Sequence, residues 1–310
     1  MMNTRSVCVV GGGTMGVDIA ASFAAFGWRT VIVNPPDPRA ATIADRFKAA
    51  LGRLERNAEF PVVKVETLME VSWSEIELVI EAIPEDLALK RAIFRELEGL
   101  ARPDIALCSN SSAIPISEIG RGLDSIHRMV GTHYFMPAHL VPGVEVVCSE
   151  HTDHAVADHV AEILAGVGKV AIRVKKDLPG FLVNRLQHAV SREAMKLIDR
   201  GIATPADIDA AVRFGFGFRY LAAGPCMQRD HAGLDIHLAA GNSIYPDLCN
   251  DSIPSQTLRD LVDAGAVGMK AGRGFYEWTP EKMVKERERY ETLLAAASAL
   301  MAREIANKAG

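Results

Sequence analysis

The sequence is sparing with cysteine, with aromatic rings and with unbroken apolar runs. Its five cysteines (Cys8, Cys108, Cys148, Cys226 and Cys249) stand far apart, with no C-x-x-C pair and no Cys/His cluster at zinc-ligand spacing. That excludes a disulfide framework and a structural zinc site, and it fits a reducing, cytoplasmic setting with no metal. No apolar stretch approaches the roughly 18 residues needed to cross a bilayer, so no membrane association is expected. Residues 1–10 hold too short an apolar run for a secretory leader. Neither sign of charge dominates: 34 Lys and Arg against 39 Asp and Glu give a formal charge of −5, which argues against a basic nucleic-acid binder. What is there, 49% hydrophobic and 24% charged residues, is the make-up of a globular chain and excludes disorder and collagen. At roughly 150 residues per domain the length suits two cores.

Ser6-Val-Cys-Val-Val10 is a short apolar run, followed at once by Gly11-Gly-Gly-Thr-Met-Gly16 and a helical stretch over 17–27. Strand, tight turn and helix succeed one another, and Gly11, Gly13 and Gly16 have the G-x-G-x-x-G spacing. The first glycine permits the turn, the second lets a pyrophosphate approach backbone, and the third allows close helix–strand packing. A second strand over 28–33 completes a βαβ unit, which turns a weak glycine pattern into a dinucleotide-binding expectation; the bland alternative is a Gly-rich turn. Gly11, Gly13, Thr14, Met15 and Gly16 are then the expected cofactor residues, with Asn34 at the adenosine ribose. An amide oxygen there can still accept from a 2′-hydroxyl. No Arg stands immediately beside it: Pro35 and Pro36 follow, with Arg39 further on. NAD is therefore the expected cofactor.

Apolar runs recur at 78–82, 105–108, 129–135, 144–148 and 170–174 with helical stretches between, which indicates a mostly parallel sheet. Ligands of such sheets sit beyond the strand carboxyl ends, which directs attention to 81–85, 109–112 and 133–137. His133 ends an apolar strand stopped by Pro137. Glu145 lies inside another apolar strand, where a buried carboxylate needs a partner. Paired, the two make an oriented general base. Periodicity alone leaves open a structural His133 and a solvent-facing Glu145, with His127, His139, His151 and His154 as other imidazoles. From Pro179 the pattern turns helical, over 180–200, 205–214, 233–244 and 280–308. The last carries Leu293, Leu294, Ala297, Leu300 and Met301 on one stripe.

These features together resemble the L-3-hydroxyacyl-CoA dehydrogenase family and its relatives acting on free hydroxy acids. The resemblance covers nearly the whole chain. It rests on Gly11-x-Gly-x-Met-Gly16, Glu81-Ala-Ile-Pro-Glu85 with Lys90, Ser109-Asn-Ser-Ser112, Gly131-Thr-His-Tyr-Phe-Met-Pro137, Pro142-Gly-Val-Glu145, Pro179-Gly-Phe-Leu-Val-Asn-Arg185 and Lys270-Ala-Gly-Arg-Gly-Phe-Tyr276. It implies an α/β, Rossmann-type doubly wound domain at 1–178. An all-α domain with a C-terminal helical extension follows at 179–310, closing over the substrate and forming a homodimer. It also implies His133 as catalytic base with Glu145 as its carboxylate, Ser112 and Asn184 bonding the reacting oxygen, and Glu85, Lys90 and Asn110 around NAD.

Three departures bear on the substrate. The stretch before Glu81 is shorter than in the acyl-CoA enzymes, with only Lys48 and Lys64 over 40–70, which puts CoA binding in doubt. The segment 214–225 resembles the gulonate dehydrogenase/lambda-crystallin and carnitine dehydrogenase branch, where Arg219 could hold a substrate carboxylate or, equally, a surface or inter-subunit salt bridge. Met136 stands where the family usually has Asn, either making the pocket beside the base more apolar or packing under the strand. The leading expectation is an NAD-dependent dehydrogenase of a small hydroxy acid with a free carboxylate. The alternatives are a hydroxyacyl-CoA dehydrogenase, a dehydrogenase of a pyridine or aromatic carboxylate bearing an alcohol or aldehyde group, and a non-catalytic, crystallin-like NAD-binding protein.

Overall fold

A strand with no exposed position can only lie in a sheet covered on both faces, and all five residues of β1 (Ser6–Val10) are buried. The computed structural model describes residues 5–38 and 40–308, and no side chain after 305; Arg39 lies outside the described residues. In chain order the remaining strands are β2 (Arg29–Val33), β3 (Val63–Val65), β4 (Leu78–Glu81), β5 (Ala106–Ser109), β6 (Met129–Tyr134), β7 (Gly143–Val147) and β8 (Val170–Val174). They form one sheet in the order β3-β2-β1-β4-β5-β6-β7-β8. Successive β1 side chains enter opposite cores. Val7 and Val9 pack with Phe23 of α1 (Thr14–Ala24), Phe47 of α2 (Ile43–Arg53), and Val160 and Leu164 of the helix between β7 and β8. Cys8 and Val10 pack with Phe94 and Leu97 of α3 (Leu87–Leu100) and with Ile116 and Ile119 of α4 (Ile116–Ile119). Helix α5 (His154–Gly166) leads into β8.

Two features of the sheet go beyond the sequence reading. Strand β3 is short and half open to solvent, with Val63 49% exposed and Lys64 between its two valines, so it carries no apolar run to announce it. Strands β6 and β7 are antiparallel, whereas every other neighbouring pair is parallel. The connection between them is too short for the crossover of a dozen or more residues that a parallel pair requires.

The chain divides into two compact units, Met1–Asn184 with Arg289–Gly310, and Arg185–Glu288. The expected division was 1–178 and 179–310; here the end of the C-terminal helix belongs with the first unit, where Arg53 pairs with Glu291 at 3.0 Å. Helix α6 (Val183–Asp199) begins later than residue 180 because Gly180 and Phe181 have left-handed backbones, φ 74° and 47°. In the second unit the helix expected over 205–214 is broken. α7 (Pro205–Ala210) passes into a π-helical turn over Ala211–Phe216, kinked at Gly215, before α8 (Gly217–Tyr220). A Cβ at Gly217 would lie 2.5 Å from the Val212 carbonyl oxygen, so the glycine is what lets the chain pass there. α9 (Pro225–Ala232), α10 (Leu234–Ile244), α11 (Gln256–Asp263) and the start of α12 (Pro280–Lys308) complete the unit. No helix among the described residues is long and apolar enough to cross a membrane.

Candidate active site

The carboxyl ends of β1, β4, β5 and β6 lie side by side, and the chemistry gathers there. At β1, Gly11 has φ 118°, and a Cβ on it would meet the Ala82 carbonyl oxygen at 2.5 Å. A Cβ at Gly16 would meet the Gly11 oxygen at 1.9 Å, while around Gly13 a Cβ would find open space. Helix α1 starts at Thr14 with no side chain capping its N-terminus, so its first amides are free for an anion. The turn thus has the space, the bare backbone and the helix end that a dinucleotide pyrophosphate requires. Asn34, expected at the ribose, turns its Oδ1 to accept from the Gly12 amide at 2.9 Å, and its Nδ2 donates to the Pro35 carbonyl. It fixes the glycine turn as well as lining the end of β2. Arg46 on α2, a residue that no motif ties to the glycine turn, donates to the Gly12 carbonyl at 2.7 Å.

Beyond β4 the residues expected around the cofactor form an ion cluster. Lys90 is 1% exposed; its Nζ lies 2.7 Å from Glu81 Oε1 and 3.4 Å from Glu85 Oε2. Glu81 accepts a further bond from the Ser109 hydroxyl. Glu85 reaches across to the loop after β5, where its Oε1 accepts from the Ser111 hydroxyl and from the amides of Ser112, Ala113 and Ile114. Burial alone would push the Glu85 carboxyl up. The Ser111 hydroxyl, the Ala113 and Ile114 amides and the Lys90 ammonium outweigh it and hold its pKa below the usual value. Lys90 and Glu85 therefore shape the loops that border the glycine turn. Asn110 joins the next pair of strand ends, its Oδ1 accepting from the Tyr134 amide at 2.9 Å.

His133 and Glu145 are direct partners in the antiparallel β6–β7 register, so their side chains emerge on one face next to each other. His133 Nδ1 lies 2.6 Å from Glu145 Oε2 with both residues buried. The other oxygen of Glu145 accepts from the Leu182 and Val183 amides, each at 2.8 Å, delivered by the left-handed turn at Gly180 and Phe181 that begins α6. Desolvation would raise the Glu145 pKa. The hydrogen bond from His133 and the two amides overcome it, so the carboxyl titrates below its ordinary value. With Nδ1–H committed to a carboxylate, the neutral imidazole carries its lone pair on Nε2, the arrangement of a directional proton acceptor. The rings of Phe135 and Phe181 flank the imidazole, with centroids 4.8 and 5.7 Å away.

Asn184 Nδ2 donates to the Ser112 carbonyl at 3.2 Å, so these two expected oxygen-binders stand together. Met136 is 64% exposed, which rules out its packing under the strand. Arg219 lies exposed on α8 in the second unit and makes no ion pair among the described residues. Of the other imidazoles, His127 bonds the Asp124 carbonyl, His151 stands beside Glu150 and His139 beside Asp18. No group of three or more His, Cys, Asp or Glu among the described residues is placed to hold a metal ion.

Comparison with known proteins gives the family. Residues 6–178 match the 3-hydroxyacyl-CoA dehydrogenase NAD binding domain, and residues 180–278 match the C-terminal domain of the same family. The 5-formyl-3-hydroxy-2-methylpyridine 4-carboxylate 5-dehydrogenase of Mesorhizobium japonicum is 32% identical over 97% of this chain and 99% of its own. A crystal structure of an enzyme of that activity, described as an NAD+ dependent dismutase, has a TM-score of 0.90 at 29% identity, covering 96% of this chain and 98% of that one. The (S)-3-hydroxybutyryl-CoA dehydrogenase of Ralstonia eutropha is 28% identical with a TM-score of 0.71, over 89% of this chain and 99% of its own. Glycine turn, strand-end carboxylates and both family domains converge: the chain belongs to the 3-hydroxyacyl-CoA dehydrogenase family and is an NAD-dependent oxidoreductase acting on hydroxyl groups.

Proposed function

We propose that the chain transfers hydride between NAD and a small molecule bearing a free carboxylate, of the pyridine or aromatic carboxylate type with an alcohol or aldehyde group, and that His133 moves the proton. The observation that carries the reaction is the 2.6 Å His133–Glu145 pair. Bound NAD supplies the hydride acceptor. Nε2 of His133 takes the proton from the hydroxyl as that bond becomes a carbonyl, and the Glu145 carboxylate stabilises the imidazolium that forms. Ser112 and Asn184 are the proposed hydrogen bonders to the reacting oxygen. A hydrated aldehyde presents the same O–H and C–H as an alcohol. The dyad can therefore serve aldehyde oxidation to a carboxylate and, by returning the proton, aldehyde reduction to an alcohol.

Several features favour a flat acid over a CoA ester. Met136, exposed beside the base, stands where the family usually has Asn, and the stretch before β4 holds a single α-helix, α2, rather than a lysine-bearing hairpin. The end-to-end similarity to the Mesorhizobium enzyme points the same way. Arg219 is the proposed carboxylate anchor, on the chemistry of its planar fork. A second reading, a hydroxyacyl-CoA dehydrogenase, is favoured by the similarity to the Ralstonia enzyme. The protein is further proposed to be a homodimer, because only Gly241 and Ala266 are buried between residues 185 and 288, and a helical unit without its own core needs a partner. Its cysteines are free, which supports a cytoplasmic setting.

The test is a rate comparison at the nicotinamide absorbance, with NAD, among 5-formyl-3-hydroxy-2-methylpyridine 4-carboxylate, 3-hydroxybutyrate and 3-hydroxybutyryl-CoA. The expected outcome is a kcat/KM for the pyridine carboxylate about 10²-fold or more above the thioester and above 3-hydroxybutyrate, with Arg219→Met raising its KM. Preference for the thioester, with Arg219→Met silent, overturns the substrate assignment.

A further inference from the structure

A buried lysine outside the dyad holds the loop that joins its two strands. Lys169, between α5 and β8, is 5% exposed. Its Nζ donates to the carbonyls of Ala138 at 2.6 Å, His139 at 3.3 Å and Val141 at 2.9 Å. All three belong to the connection between β6, which carries His133, and β7, which carries Glu145. The adjoining Val170 amide bonds the Pro142 carbonyl at 2.8 Å, so the whole connection is tied to the start of β8. The charged and titratable groups facing this point are Asp18 of α1, 7% exposed, and His139 of the loop, 4% exposed. His139 Nδ1 lies 3.0 Å from Asp18 Oδ2 without the alignment of a hydrogen bond.

We propose that Lys169, with Asp18 as its counter-charge, is a positioning residue for the redox reaction, its ammonium keeping His133 and Glu145 in register by gripping three carbonyls of the loop between them. Three contacts need the three protons of an ammonium; a neutral amine has two and must release one carbonyl. Burial lowers the Lys169 pKa to about 8, against the attraction of Asp18, which raises it. The grip therefore loosens within the working range of an enzyme. Folding linkage has the opposite sign. Because the folded-state pKa is depressed, the unfolded chain binds the extra proton between about pH 8 and the ordinary lysine value, so this group's contribution to stability rises across the interval in which alignment is lost.

The proposal rests on the dyad reading, and its test has a part that needs no substrate. The downfield Nδ1–H proton of His133 is followed by NMR against pH in the wild type, Lys169→Arg, Lys169→Met and Asp18→Asn. Expected is a transition near pH 8 in the wild type, moved upward by at least one pH unit in Lys169→Arg. Lys169→Met should show no such transition, with a weakened signal throughout. In Asp18→Asn the midpoint should move down. The alkaline limb of kcat/KM for the preferred free acid should shift in the same order, while thermal stability does not fall over that range. If Lys169→Met fails to fold, the Arg and Asn variants decide. An unchanged transition in both overturns the proposal. Full activity of His133→Gln would instead overturn the dyad reading and leave the NMR result standing by itself.

Discussion

An imidazole has two equivalent-looking nitrogens until a neighbour commits one of them, and Glu145 commits Nδ1 of His133. Glu145→Gln offers an amide N–H in place of an oxygen and favours the opposite tautomer. Turnover should fall by about 10²–10⁴-fold, and NADH affinity, measured by fluorescence titration, should hold. The carboxylates also set the acid response. The pKa values of Glu145 and Glu85 are both lowered in the folded chain, so each contributes stability that is present above its unfolded value and is lost as pH falls through its folded one. Urea unfolding should show Glu85→Gln less stable than the wild type by about 1–3 kcal/mol at pH 7, the gap narrowing below pH ~4; an unchanged gap would contradict this. Residue types at strand ends were legible in the sequence, as His133, Glu85 and Asn110 were. Facing was not. Of the adjacent pair Ser111 and Ser112, only the first turns its hydroxyl to Glu85, a difference that no sequence pattern encodes. Lys169 carries no signal in the sequence: only its burial and its three carbonyl partners mark it.

At the scale of elements, the glycine turn makes two substitutions separable. A Cβ at Gly16 would overlap the Gly11 carbonyl at 1.9 Å, backbone against backbone, whereas at Gly13 it enters open space. Gly16→Ala should therefore lose both stability, by more than about 2 kcal/mol, and NADH binding. Gly13→Ala should keep its melting temperature and lose only NADH affinity, because its methyl group occupies ligand space. Equal effects on melting would contradict the turn geometry. The βαβ unit was legible because strand, glycines and helix are contiguous. The apolar runs of β6 and β7 do not show their direction; the shortness of the loop between them dictates the antiparallel pairing, and that reversal is what sets Glu145 opposite His133. Similarly, α7 stops early because Gly215 and Gly217 admit a π-helical turn, where side-chain periodicity alone suggested a continuous helix.

Across the whole molecule, the first unit is built around a two-sided core and the second leaves Phe214, Phe218, Leu234, Ile236 and Leu238 more than half exposed, at 74, 67, 63, 62 and 67%. Sedimentation equilibrium should find a dimer, and Leu234→Asp with Leu238→Asp should shift it toward a less stable monomer; a wild-type monomer of full stability would contradict this. On the stripe of α12, Leu294, Ala297 and Met301 are half-buried while Leu293 and Leu300 remain exposed, so the apolar periodicity located the helix without saying which part of it packs. Family and cofactor were legible because their motifs are ordered along the chain. Substrate class was not, since the side chains proposed to set it, Met136 and Arg219, are single positions outside any spacing pattern. The central claim, that His133 oriented by Glu145 is the proton acceptor of an NAD-dependent oxidation, is tested most directly by single-turnover NADH formation in His133→Gln with the preferred acid. The expected result is loss of turnover by at least about 10²-fold with an unchanged NADH dissociation constant, and turnover within a few-fold of the wild type would contradict it.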